Sequence, residues 1–198
     1  MAADLAGLIL AGGAGTRFGG PKAFARLPDG RTFLQACGDT LRAAGAAPIA
    51  ATLPAGAGGG DPTLVAVALP GPGLPMFESL VLGLRRLLRD SAWERVVVLP
   101  VDHPLVASAT VHALAAAGAD AAIPCYRGKH GHPVALVRAV AGRIAAGELP
   151  GPTLREVLRA VGVRDVEVDD PGVTANCNTP EALAAALAAA RGTPPAFP

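Results

Sequence analysis

Three glycines, Gly12, Gly13 and Gly15, stand just ahead of two cations, Arg17 and Lys22, in the stretch Leu8 to Lys22. Glycine has no Cβ, so this backbone can adopt positive φ, turn its N–H groups inward and let a polyanion approach the main chain closely. Arg17 and Lys22 add positive charge to the same space, and the combination reads as a site for a triphosphate. Two better-known phosphate loops do not fit. The dinucleotide fingerprint needs glycine where the chain has Phe18, and the Walker loop needs Gly-Lys-Ser/Thr where the chain has Pro21, Lys22 and Ala23. The competing reading is a Gly-rich turn with two solvated cations, but such a turn needs neither the Arg nor the Lys.

A second chemical group lies far downstream. The Val-rich run Arg95 to Leu99 has the look of a central parallel strand covered on both faces, and it ends in Pro100-Val101-Asp102-His103-Pro104-Leu105. A carboxylate at the carboxyl end of such a strand faces the crevice where open α/β sheets bind ligands. Asp102 could instead cap the following turn. His130 and His132 alternate around Gly131, but without a third ligand they make a weak metal site, and a solvated basic hairpin is an equal alternative.

The elements that must hold these groups alternate between strand and helix. Leu5 to Leu10 reads as a buried strand that empties into the glycine loop. Thr32 caps a helix to about Ala44, and Pro48 to Leu53 and Leu64 to Leu69 are strands. Met76 to Arg89 is an amphipathic helix. Ser108 caps a helix through Ala117, and Asp120 to Cys125 is a strand followed by a hairpin that returns through Val134 to Val137. Short helices over Val140 to Ala146 and Thr153 to Val161 flank a Pro-Gly-Pro break, and Val163 to Val168 is the last strand. Thr179 and Pro180 then open a helix that runs through Arg191. The pattern predicts an α/β fold, three-layered and Rossmann-like, with a mostly parallel sheet and one antiparallel hairpin strand. One domain over residues 1–192 and a Pro-rich tail over 193–198 are expected.

The run Leu-x-Ala-Gly-Gly-x-Gly-x-Arg-Phe-Gly-x-x-Lys resembles that of nucleotidylyltransferases of the molybdenum cofactor cytidylyl- and guanylyltransferase type. The resemblance extends from Leu8 to Leu187. It implies that Leu10, Ala11, Gly12, Gly13, Ala14 and Gly15 border the nucleotide, with Arg17 and Lys22 on its phosphates. Ser79, in Ser-x-x-x-Gly-Leu, corresponds to the Ser placed near the base in such transferases; a helix with one polar residue in its first turn and a Gly83 chosen for packing is the plain alternative. The family's Pro-x-Asp-x-Pro-Leu motif makes Asp102 the holder of the divalent metal. Gly131-His132-Pro133-Val134 resembles the segment that borders the acceptor in the cytidylyl branch.

The chain departs from the cytidylyl pattern at Asn176-Cys177-Asn178, where Asp is usual and where the guanylyl branch more often has Asn. Asn is a neutral oxygen ligand and holds a hard cation more weakly than a carboxylate. The resemblance therefore leaves the base open. It implies transfer of CMP or GMP from CTP or GTP to a phosphomonoester such as molybdopterin, with Mg²⁺ held by Asp102 and helped by Asn176 or Asn178, and a molybdoenzyme as client. A non-catalytic nucleotide or cofactor carrier and a sugar- or polyol-phosphate nucleotidylyltransferase are the rival readings.

Composition narrows the partners. The 198 residues are 51% hydrophobic but only 4% aromatic, so much of the core rests on small side chains. A net charge of +1 disfavours a broad nucleic-acid or membrane-surface patch. The three cysteines have neither disulfide nor zinc spacing, and the N-terminal stretch lacks a basic region and a long apolar run. A reducing, cytoplasmic setting is the expectation.

Overall fold

The computed structural model describes residues 4–13, 19–57, 61–71, 73–149 and 152–190. Its centre is an eight-stranded sheet in the order β3-β2-β1-β4-β7-β5-β6, with β8 paired to β5. The strands are β1 (Leu5–Leu10), β2 (Ile49–Leu53), β3 (Val65–Ala68), β4 (Arg95–Pro100), β5 (Ala121–Tyr126), β6 (Lys129–His130), β7 (Val134–Val137) and β8 (Arg164–Glu167). The helices are α1 (Phe33–Ala43), α2 (Met76–Asp90), α3 (Ser108–Ala115), α4 (Arg138–Ala146), α5 (Leu154–Val161) and α6 (Pro180–Ala190).

Every residue of β1 is buried, and its side chains divide by period two between the faces of the sheet. Ile9 joins Val97 and Leu99 of β4 on the face covered by Phe33 and Leu41 of α1, Val111 and Leu114 of α3, and Leu183 of α6. Leu8 and Leu10 join Val96 and Val98 on the opposite face, against Leu80 and Leu84 of α2, Val140 and Ile144 of α4, and Val157 of α5. Three layers result because a strand covered on both sides can carry apolar residues at every position. The small residues act where layers approach closely. A Cβ on Gly83 would lie 2.5 Å from Cδ1 of Leu8, so this glycine lets α2 settle on β1.

Pairings of β1 with β2 and β4, of β2 with β3, and of β5 with β8 are parallel. The returning strand is antiparallel, and β7 is inserted between β4 and β5 in the middle of the sheet rather than at its edge. β6 and β7 pair with β5 in registers that differ by two residues, and the slip falls at Gly131–Pro133. The polypeptide bulges there, in the segment that carries His132.

Local signals place several helix starts. Thr32 Oγ1 accepts from Gln35 N at 3.1 Å while Gln35 Oε1 accepts from Thr32 N at 2.8 Å, a reciprocal capping box. Thr179 Oγ1 accepts from Ala182 N at 3.1 Å ahead of Pro180. Ser108 departs from expectation. It is the first residue of α3, and its side chain makes no capping bond. The buried Asp170 does that work from across the fold, accepting from Ala107 N at 2.9 Å and from Thr110 Oγ1 at 2.6 Å. A carboxylate oxygen at the helix start satisfies one orphan amide, that of Ala107, and favours the positive end of the helix dipole. Among the described residues, no helix is long and apolar enough to cross a membrane.

Candidate active site

The carboxyl ends of β1 and β4 lie side by side, with Leu10 in register with Pro100. Val101 N donates to Leu10 O at 3.0 Å, so the segment that carries Asp102 is tied to the point where the glycine turn begins. From the other side, Ala11 N donates to Thr52 O at 3.1 Å and to the buried Thr52 Oγ1 at 3.3 Å. These ties hold Ala11 under the crevice and release the chain at Gly12. A Cβ on Gly12 would lie 2.3 Å from Cδ1 of Leu69, so glycine lets the chain pass close to the side chain that follows β3, with Oγ of Ser79 in α2 at an ordinary contact distance of 3.5 Å. Ser79 is buried in the first turn of that helix and its hydroxyl donates to Pro75 O at 3.4 Å.

Lys22 opens a short 3-10 turn over Lys22–Phe24, and Ala23 is buried beneath it. Its ammonium nitrogen lies 3.5 Å from Oδ2 of Asp102 and donates to Oδ1 of Asn178. The two charged side chains are only 20% and 16% exposed, so they interact with little screening. Residues separated by 80 and 156 positions in the chain thus converge on one point. Cys177 N donates to Asp102 O at 2.8 Å and brings the Asn176–Asn178 segment in at backbone level. Asn178 faces Lys22, whereas Asn176 is exposed and lines an adjoining cleft of about 820 Å³. Of the residues expected at the site, Leu10 and Ala11 are buried, Lys22 meets Asp102 and Asn178, Gly12 lies beside Ser79 and is followed by the exposed Gly13, and His132 and Asn176 line the adjoining cleft. Ala14, Gly15 and Arg17 lie outside the described residues.

Sequence reading passed over His103. It is buried beside Asp102, its Nδ1 lies 3.4 Å from Gly172 O, and its ring meets that of His132 edge to face at a centroid distance of 4.8 Å. The available signal was its place in Pro-Val-Asp-His-Pro, directly after the carboxylate. The Nδ1 of His132 is buried and has no hydrogen-bond partner among the described residues. Burial pushes both imidazoles below their ordinary range, and the neighbouring His103 helps to bring His132 down to about 4. Both rings are therefore neutral at pH 7.

A stability effect follows. Between pH 6.5 and about 4 the unfolded chain protonates His132 while the folded chain does not. Stability is complete above that window, falls as the pH drops through it, and levels off below, by an amount of order 3 kcal/mol. His103 acts in the same direction. Urea unfolding of wild type and His132→Asn at several pH values checks this; the variant's curve is expected to be flatter over the same range.

Cys37, Cys125 and Cys177 are free and buried, as the absence of disulfide spacing predicted. Burial, and next the Asp102 charge, push the Cys177 thiol up to about 11, so it stays a neutral packing group beside the carboxylate.

Among the described residues no group of three His, Cys, Asp or Glu side chains is arranged to hold a metal ion. What the crevice offers a hard cation is one carboxylate, Asp102, with the amide oxygens of Asn176 and Asn178 nearby. That donor set fits a divalent ion that arrives on a polyphosphate and keeps waters and phosphate oxygens as its other ligands. The glycine turn, the lysine and the carboxylate at adjoining strand ends are what a phosphate-transfer site requires.

A model of the MobA-like NTP transferase domain matches residues 7–171. The chain belongs to that family. This MobA-like chain is a nucleotidyltransferase, and its fold recurs in solved structures. Rv0371c from Mycobacterium tuberculosis H37Rv is 26% identical, with a TM-score of 0.75 over 90% of this chain and 95% of that one. A structure of Rv0371c in complex with manganese superposes with a TM-score of 0.72, at 24% identity over 93% of this chain and 98% of that one. The 2-C-methyl-D-erythritol 4-phosphate cytidylyltransferase of Thermus thermophilus, 22% identical, shares the fold with a TM-score of 0.65 over 94% and 98% of the two chains. No curated protein matches the MobA-like chain.

Proposed function

We propose that the protein is a Mg²⁺-dependent nucleotidylyltransferase that transfers CMP or GMP from CTP or GTP to a phosphomonoester of the molybdopterin type and releases pyrophosphate. The convergence of Lys22, Asp102 and Asn178 at the mouth of the glycine turn carries this reading. An oxygen of the acceptor phosphate attacks the α-phosphorus and forms a new phosphoanhydride. The bond from the α-phosphorus to the bridging oxygen breaks, and its electron pair leaves on pyrophosphate.

Both partners are anions, so positioning and charge neutralisation supply most of the rate. In this reading the run Gly12 to Gly15 supplies N–H donors for the phosphates, and Lys22 and Arg17 neutralise the β- and γ-phosphates and the leaving group. A divalent ion, when bound at Asp102, adds charge neutralisation to the phosphate oxygens. Leu10, Ala11 and Ser79 border the nucleoside, and His132 stands on the acceptor side. The acceptor phosphate is already deprotonated, so no general base is needed, in keeping with two imidazoles whose environment disfavours protonation. The manganese bound by Rv0371c and the cytidylyl transfer in the name of the Thermus enzyme support the metal and the reaction class.

Pyrophosphate release with each of the four triphosphates, with and without molybdopterin, tests the proposal. Lys22→Ala is expected to lower release by about 100-fold, because one preorganised positive group facing developing charge is removed. Its melting temperature is expected to stay close to that of wild type. Equal rates in the two proteins would remove Lys22 from the reaction.

A further inference from the structure

Beyond Asn176 lies the cleft of about 820 Å³, of which the reaction above uses only the inner end. Its floor is apolar: Ile123 of β5, Val134 of β7, and Leu154 and Leu158 of α5. Its rim carries Lys129, Arg155 and Arg159, and among the described residues no carboxylate lines it, although Asp165 stands 3.0 Å from His130 on the same rim. Arg155 and Arg159 lie four positions apart, which sets both on one face of α5. None of these three side chains has a hydrogen bond or ion pair among the described residues. Elsewhere in the fold Arg31, Arg42, Arg86 and Arg89 are bound to carboxylates. Unpaired cations gathered around a greasy hollow are poised for an anion from outside.

A polar handle stands at the inner end as well. His132 lines both this cleft and an apolar hollow of about 320 Å³ beside Leu10 and Pro100, and its buried Nδ1 is without a partner among the described residues at that seam. The cleft thus presents an inner end at His103 and Asn176, whose neighbours in the chain are Asp102 and Asn178, an apolar middle, and a cationic far end.

We infer that this cleft seats the acceptor, and that the acceptor carries, besides the phosphate that reacts, a distal anionic group held by Arg155, Arg159 and Lys129, with a flat apolar portion between them on Leu154 and Leu158. The inference rests on the nucleotidyl-transfer reading and assigns the acceptor's chemical class: an amphiphilic molecule with two anionic ends. Guanidinium groups suit the far end because they pair with phosphate or carboxylate in a planar, bidentate manner.

Fluorescence titration of the full chain with 1-naphthyl phosphate, which joins an apolar ring to one dianion, tests it, with 1-naphthol and inorganic phosphate as comparisons. Naphthyl phosphate is expected to bind at least tenfold more tightly than either comparison, and to weaken as salt rises from about 50 mM to about 500 mM. In the double variant Arg155→Gln/Arg159→Gln its affinity is expected to fall about tenfold, while the rise in melting temperature given by Mg²⁺ with CTP or GTP is retained. Both arginines are exposed, so the variant keeps its fold. Equal binding of naphthol in wild type, or unchanged binding of naphthyl phosphate in the variant, overturns the acceptor seat and leaves the nucleotide site standing. Absence of a melting shift with any of the four triphosphates in wild type overturns the nucleotidyl-transfer reading itself.

Discussion

Asp102→Ala is expected to lower pyrophosphate release by about 100-fold or more while the protein stays folded. Asp102 is the carboxylate at the meeting point of β1 and β4, and the two asparagines near it supply neutral oxygens that hold a hard cation weakly. Its removal takes away the anchor for a divalent ion and the negative charge that holds the Lys22 ammonium at 3.5 Å. The backbone role of the residue survives in alanine, because the bond from Cys177 N at 2.8 Å goes to the carbonyl oxygen. Lys22 keeps its contact with Asn178. Activity measured against metal concentration adds a second readout: the midpoint is expected to rise in Asp102→Asn, where an amide oxygen replaces a carboxylate. A full rate in Asp102→Ala would falsify the assignment of the site.

The largest structural effect is expected from Gly131→Ala. A Cβ there would lie 2.2 Å from the carbonyl oxygen of Val173 and 2.6 Å from its carbonyl carbon. These are backbone atoms, so relief requires the two segments to separate. Separation breaks the bond from His132 N to Val173 O at 2.9 Å and loosens the turn over Pro171–Thr174 that leads into Asn176-Cys177-Asn178. A loss of about 3 kcal/mol in urea unfolding is expected, in the range of overpacked cores. Transfer activity is expected to fall with it, because Asn178 no longer meets Lys22. Gly172→Ala provides a parallel case from the other side of the same turn, where a Cβ would lie 2.4 Å from the carbonyl oxygen of Leu105. By contrast, among the described residues nothing lies within 4 Å of the Cβ position of Gly20, and alanine there is expected to be tolerated. Wild-type stability in Gly131→Ala would show that the contact relaxes without cost.

Much of this molecule was legible in one dimension. The apolar run Leu5 to Leu10 became β1 with the bounds read for it, because six consecutive buried residues fit a strand covered on both faces. Thr32 and Thr179 cap the helices they were expected to cap, since the donor and the acceptor lie three residues apart. The glycine run before Lys22 and the carboxylate after a Val-rich strand could be picked out as chemical groups because turn and strand residues have short-range signatures.

Where those groups meet was settled by long-range packing. Ser108 looked like a cap, yet a carboxylate 63 positions beyond Ala107 takes that role, because Asp170 is folded back against the start of α3. The hairpin strand was expected, but its insertion between β4 and β5 depends on which buried edges find each other, and no local pattern encodes that. The same holds for the pair His103 and His132, whose rings meet at a centroid distance of 4.8 Å from segments that are not neighbours in the chain. Local composition records which groups exist and which secondary structure suits them, since those depend on a few neighbouring torsions and side chains. The union of Lys22 with Asp102 and Asn178, and the cationic rim beyond Asn176, arise from strand register and layer packing, where residues far apart in the chain share one desolvated space.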